Sequence, residues 1–176
     1  NPTPLEVCDA FPNDGFAEFT LTDKDNEITG GNPDYTIMYF ETLALAENGD
    51  PGDELISPYI NITADSQIVY ARIDDTTNGC FEIVELTLTV NPAPDIADPI
   101  TDFILCDDDQ DGVETFDLTS KDTEIINGVP NVTIDYFNNF ADADGNVNPI
   151  LDPVNYVSAG GEAIFVRVES TVTGCY

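Results

Sequence analysis

The sequence predicts an all-β chain built as two tandem β-sandwich repeats. Three observations carry this expectation. The chain repeats itself, apolar and polar residues alternate in short runs, and each copy holds one early and one late cysteine. The repeat spacing of about 97 residues is far longer than one coil of a solenoid, and it suits a small sandwich domain.

The repeat can be followed residue by residue. Phe19 and Leu21 in "FAEFTLT" answer to Phe116 and Leu118 in "VETFDLT". Ile37, Tyr39 and Phe40 answer to Ile134, Tyr136 and Phe137. "QIVYARI" matches "EAIFVRV", and Gly79-Cys80 matches Gly174-Cys175. These late matches have slipped to a spacing of about 95, so a loop before them is shorter in the second copy.

Taken in order, the elements are mostly strands. Residues Phe16 to Leu21 alternate, with Phe19 and Leu21 on one side. Tyr35 to Phe40 has the aromatic and β-branched content that strands favour. Along Ile68 to Ile73 the residues Val69, Ala71 and Ile73 share one face, which repeats as Ile164, Val166 and Val168. That face is expected to look into the core. After Cys80 a long strand follows, with Leu86, Leu88 and Val90 apolar on one side. Short helices are expected at "TSKDTEIING", capped by Thr119 or Ser120 and by Gly128, at its counterpart "TDKDNEITGG", and at "ETLALAENG".

The Pro-rich stretch "NPAPDIADP" reads as a linker. Repeat 1 is therefore placed at residues 1–90, and linker plus repeat 2 at 91–176. Only Tyr176 follows Cys175, so the second copy is expected to lack its last strand and to come from a longer parent protein. Strand spacing, turn residues and the cysteine pattern together suit an immunoglobulin-like sandwich.

Composition narrows the function. The chain has 35 acidic and 4 basic side chains, a formal net charge of -31. Such a surface repels nucleic acid and anionic lipid. With 41% hydrophobic residues in alternating runs, the chain is not an acidic disordered tail, and no apolar run is long enough to cross a bilayer. It contains no His and no Trp, which removes Ser-His-Asp, Cys-His and His-zinc chemistry. No glycine-rich phosphate cradle is present. The expectation is a protein that is not an enzyme.

Cys8, Cys80, Cys106 and Cys175 are too widely spaced for a CxxC motif. An even count in an Asp- and Thr-rich chain reads as disulfides formed in an oxidising, extracellular setting; four buried free thiols are the alternative. A duplicated unit predicts one bond per copy, Cys8–Cys80 and Cys106–Cys175. Each would close a loop of about 70 residues, for which chain entropy allows roughly 4 kcal/mol. The basic residues also repeat, Lys24 with Lys121 and Arg72 with Arg167. Ion pairs over the sheet are the expectation for the arginines, against a ligand-facing patch. For the lysines the repeated placement suggests a structural role, and an isopeptide bond to Asn or Asp is weighed as one form of it.

The sharpest local motif is "CDDDQDG", in which Asp107, Asp109 and Asp111 alternate before Gly112. This matches the first half of a calcium loop, although Leu118 stands where an EF-hand places its bidentate Glu. Glu114 and Asp117 are sequence-near candidates to finish the shell. Asp142, Asp144 and Asn146 form a second candidate set, and Asp9 and Asp14 are the reduced counterpart of the Asp107 loop in the first copy. Calcium is the expected ion, and Asx-capped acidic turns are the competing explanation.

In the second copy "LCDDDQDGVETFDLT", "TIDYF", "VRV" and "TGC", and in the first "VCDAFPNDGFAEFTLT", "TIMYF", "ARI" and "NGC", resemble the tandem repeats of large flavobacterial cell-surface proteins. The resemblance implies a secreted adhesin exported by the type IX system, of the kind tied to gliding motility. The expected role is a structural stalk segment at the cell surface, stiffened by disulfides and calcium. Its partners would be neighbouring repeats of the same chain, and surface glycans or other cell-surface proteins. A glycan-binding module using Tyr59 or Tyr156 as a stacking platform is the alternative.

Overall fold

The computed structural model describes residues 1–176, which divide into two units, Asn1–Pro92 and Ala93–Tyr176. Each is mostly β-structure with a few short helices. In the first unit the strands are β1 (Leu5–Cys8), β2 (Glu18–Phe19), β3 (Tyr35–Phe40), β4 (Tyr59–Ile60), β5 (Ser66–Asp75) and β6 (Phe81–Asn91). Helices α1 (Asp25–Thr29) and α2 (Leu43–Asn48) lie between them.

The alternation read from the sequence governs the central hairpin. Along β5 the buried positions are Gln67, Val69, Ala71 and Ile73, and along β6 they are Leu86, Leu88 and Val90. β5 and β6 pair antiparallel from Ser66↔Thr89 to Asp74↔Phe81. β3 adds to the other side of β5, and β1 lies parallel to β6, giving the order β1-β6-β5-β3. A two-residue ribbon, β2 with β4, supplies Phe19 and Tyr59 to the same core.

The β-structure contributed by this ribbon is smaller than the sequence suggests. Of the strand expected over Phe16 to Leu21 only Glu18–Phe19 survives. Before it, the Ala17 N–H is taken by the Asn61 side chain at 2.7 Å. After it, Leu21 opens a 3-10 turn, Leu21–Lys24, which buries Leu21 fully and leads into α1.

The helices form where expected, with shifted caps. Thr42 caps α2, its hydroxyl accepting from the Leu45 N–H at 3.3 Å, and Gly49 ends it in the left-handed region. In the second unit Asp117, not Thr119 or Ser120, caps the turn Leu118–Lys121. Helix α3 (Asp122–Ile126) then ends at Asn127 with φ 50°, one residue before Gly128. Asn tolerates that conformation, so the glycine is not needed there.

The second unit repeats this plan with β7 (Glu114–Phe116), β8 (Val132–Phe137), α4 (Phe140–Gly145), β9 (Tyr156–Ser158) and β10 (Phe165–Ser170). β10 pairs with β8 in the register that β5 keeps with β3, and β7 with β9 replaces the β2–β4 ribbon. No strand corresponds to β6, and none corresponds to β1. Leu118, Ile125, Tyr136 and Val168 form its buried centre. Ile96, from the stretch read as linker, packs on this centre, and the Ala97 N–H bonds the Ile125 carbonyl.

Candidate functional site

The two cysteines of the first unit sit at opposite ends of its sheet, and this restricts how they can pair. β1 runs parallel to β6 with Cys8 opposite Asn91, at the end of β6. Cys80 immediately precedes Phe81, at the start of β6. The 11 residues of β6 separate them by roughly 35 Å at strand rise, whereas a disulfide needs Cα atoms within about 7 Å. A Cys8–Cys80 bond is therefore impossible in this fold. Cys80 and Cys106 are free and exposed, and Cys8 and Cys175 are disulfide-bonded. The expectation of one bond inside each copy, Cys8–Cys80 and Cys106–Cys175, is corrected accordingly.

The turns that carry the late cysteines are built alike. The Asp75 N–H bonds the Cys80 carbonyl and the Gly79 N–H bonds the Asp75 carbonyl, both at 2.8 Å. Ser170, Cys175 and Gly174 repeat both bonds at the same length. The Asp75 carboxylate holds the loop by accepting from the Thr77 hydroxyl and N–H and from the Asn78 amide, which lowers its pKa.

Of the acidic candidates, one set is brought together. Ligand oxygens of Asp107, Asp109 and Asp111 all lie within 4.8 Å of one another, and all three residues are exposed. The loop is shaped by its own carboxylates. Asp107 accepts from the Gln110 N–H at 2.6 Å and the Gly112 N–H at 2.9 Å, and Asp111 accepts from the Val113 N–H at 2.9 Å. Gly112 has φ 87°, as the tight turn requires. Glu114 reaches the loop through the Asp108 N–H at 3.3 Å, while Asp117 is engaged by Thr119.

The other candidates are dispersed. Asp142 and Asp144 lie on α4 rather than in a loop, and Asn146 is its left-handed C-cap. Asp142 accepts from the side-chain amides of Asn139 and Asn148, and Asp144 accepts from the Tyr176 hydroxyl. In the first unit Asp9 is buried, with one oxygen bonded to the Gly15 N–H at 2.7 Å and the other without a partner. Asp14 is exposed and accepts from the Phe16 N–H.

All four basic residues are structural fasteners. Arg72 pairs with Asp74 at 2.9 Å, donates to the carbonyls of Ala46 and Glu47 at the end of α2, and stacks 3.6 Å from the Phe81 ring centre. Arg167 does the same with Glu169, Ala143, Asp144 and Tyr176. Lys24 bonds Glu27 and the Thr3 hydroxyl, and Lys121 bonds Glu124 and the Thr101 hydroxyl. Both lysines are thus committed to salt bridges. The sequence reading missed the glutamates and threonines of these clamps. Their signal was the recurrence of Thr3 as Thr101, and of Glu three residues after each lysine. Glu27 is pulled down to about 2 by the Lys24 hydrogen bond and then by those of Thr3, and Glu124 to about 2 by Lys121 and Thr101.

The two tyrosines considered as sugar platforms are partly buried and bonded. Tyr59 packs on the core and accepts from Gln67, and the Tyr156 hydroxyl contacts Asn138 and Glu162. No helix is long and apolar enough to cross a membrane.

A search of curated proteins and a search of solved structures found no match. A family model does match, twice in tandem, at residues 4–94 and 102–176. These segments cover nearly the whole chain. The chain belongs to the Flavobacterium inter-domain disulphide bond domain family.

Proposed function

We propose that the chain is a structural segment of a long extracellular adhesin, whose repeats are tied to one another by disulfides instead of being closed one by one. The observation that carries this reading is the division among four equivalently placed cysteines. One early and one late cysteine are oxidised, and their counterparts are free and exposed. A bond from Cys8 of one copy to Cys175 of the next satisfies that division. The thin sandwich is read as immunoglobulin-like, and the cell surface, reached by type IX export, is the oxidising setting such bonds need. The segment acts without catalysis and has neighbouring repeats as its first partners. Calcium at Asp107, Asp109 and Asp111 is the proposed ion, because three converging carboxylates repel one another until a cation with oxygen ligands joins them.

Non-reducing peptide mapping tests the reading. Cys8 and Cys175 are expected in one linked pair, while Cys80 and Cys106 alkylate without reduction. A Cys8–Cys80 or Cys106–Cys175 peptide would refute it.

A further inference from the structure

The loop after the early cysteine is locked in the same way in both copies, and in the first copy one oxygen is left over. Asp9 accepts from the Gly15 N–H through Oδ2 at 2.7 Å, and Asp107 accepts from the Gly112 N–H through Oδ2 at 2.9 Å. The other oxygen of Asp107 accepts from the N–H of Gln110, three residues on, at 2.6 Å. Three residues after Asp9 the chain has Pro12, which carries no N–H. Asp9 is only 6% exposed, whereas Asp107 is exposed, and the Asp9 Oδ1 is buried without a hydrogen-bond partner. A carboxylate oxygen so placed has lost its water without a replacement donor. No basic side chain answers it. Lys24 and Arg72 pair with Glu27 and Asp74, and Lys121 and Arg167 with Glu124 and Glu169.

A second carboxylate comes to the same glycine. The Gly15 carbonyl accepts from the Asp65 N–H at 2.9 Å and from the Asn61 side chain at 2.8 Å. The Asp65 carboxylate packs so close that a Cβ on Gly15 would stand 2.7 Å from its Oδ1. Gly15 is therefore bare for that approach as well as for its own φ of 79°. Asp65 itself holds φ 66°, and in the register that matches Gln67 to Glu162 its counterpart is Gly160, with φ 75°. The second copy fills this left-handed position with the residue that adopts it freely, and the first copy fills it with an acid.

We propose that the first unit carries its own divalent-cation site, with Asp9 Oδ1 as its buried ligand and Asp65 as its exposed one. Calcium suits the site, because it takes carboxylate and carbonyl oxygens in flexible geometry. The inference goes beyond the structural role proposed above, and it stands whether or not the Asp107 loop binds an ion.

The test uses the intact chain with calcium alone as the probe, at ionic strength held constant with sodium chloride. In the Asp109→Ala variant, which disables the second-unit loop, isothermal titration should still show one calcium bound. At free calcium 100 times Kd the ion-free population falls by about 100-fold, and hydrogen exchange at the Gly15 and Asp65 amides should slow at least about tenfold. Adding Asp9→Asn keeps an oxygen for the Gly15 N–H and should abolish both responses. Adding Asp65→Asn preserves the fold, since asparagine tolerates the left-handed region, and should weaken binding at least about tenfold, because affinity follows ligand charge. If wild type and Asp109→Ala bind the same single calcium, the Asp107 reading fails and this one stands. No calcium bound by Asp109→Ala, or binding unchanged by Asp9→Asn or by Asp65→Asn, would overturn the proposal. So would equal exchange at Gly15 in calcium and in sodium chloride, the mark of screening alone.

Discussion

Replacing Arg72 by Met separates a fastening role from a ligand-binding one. The Arg72 side chain is 12% exposed, and methionine keeps much of its apolar stem while removing the guanidinium. The exposed Glu47 carbonyl can turn to water, and three further losses carry the cost. The carbonyl of Ala46, a fully buried residue, loses a donor at 2.9 Å, which costs about 1–2 kcal/mol. Asp74 loses its bidentate partner, but it is 27% exposed and keeps part of its solvation, so about 1 kcal/mol is assigned there. The stack on Phe81 adds about 0.5–1 kcal/mol. The sum is about 3 kcal/mol of first-unit stability, and Arg72→Lys should lose about half of it, because an ammonium cannot hold all these partners at once. Gly49→Ala should act through the same arginine. Gly49 has φ 66°, and a Cβ there would stand 2.7 Å from the guanidinium carbon. The assay is urea unfolding followed by circular dichroism, with native-state hydrogen exchange at Leu86 and Leu88 assigning the loss to the first unit. A loss under about 1 kcal/mol for Arg72→Met, or none for Arg72→Lys, would refute the fastening role.

Acid stability should report the glutamate clamps. Glu27 and Glu124 have folded pKa values of about 2 against 4.5 when free, so their stabilisation is complete above pH 4.5 and is lost as pH falls toward 2. The Glu27→Gln, Glu124→Gln double variant should melt lower than wild type at pH 6 and lose less between pH 5 and 2; parallel curves would exclude the clamps. Tyr136→Phe removes hydrogen bonds to Asp122 and the Leu118 carbonyl and should cost about 1.5–3 kcal/mol in urea unfolding. Calcium at 100 times its Kd should stabilise the second unit of the wild type by about 2.7 kcal/mol against chelator at matched ionic strength. Asp109→Ala should abolish that gain in melting experiments, and an unchanged gain would move the ion away from Asp107–Asp111.

The sequence discloses those parts of the fold that obey a local period. Tyr35–Phe40 is a strand with the expected bounds, and Val69, Ala71, Leu86 and Leu88 are fully buried as alternation requires. What escaped it depends on contacts distant along the chain. Phe16 to Leu21 alternates, yet Asn61, 44 residues on, takes the Ala17 N–H and the strand stops at Phe19. The parallel pairing of β1 with β6 leaves no period to read, and it is this pairing that sends Cys8 and Cys80 to opposite poles. Duplication says that cysteines recur. It is equally compatible with bonds inside a copy and bonds from one copy to the next, so symmetry alone chose wrongly. The Asp107 loop was legible because its spacing is local, whereas Asp142 and Asp144 were drawn into α4 by the Asn139 cap.

The parallel pair β1–β6 also determines how the first unit would answer a pull on its two ends. Traction would reach β1 from its Leu5 side and β6 from its Asn91 side. The two strands point the same way, so the force would slide them past each other instead of peeling them apart. All four register pairs, Leu5↔Leu88 through Cys8↔Asn91, would then bear the load together and fail together. An antiparallel arrangement loaded at the same ends would open one pair at a time. The first unit is therefore wired as a shear clamp, a mechanical property set by strand direction and independent of how much apolar surface the core buries.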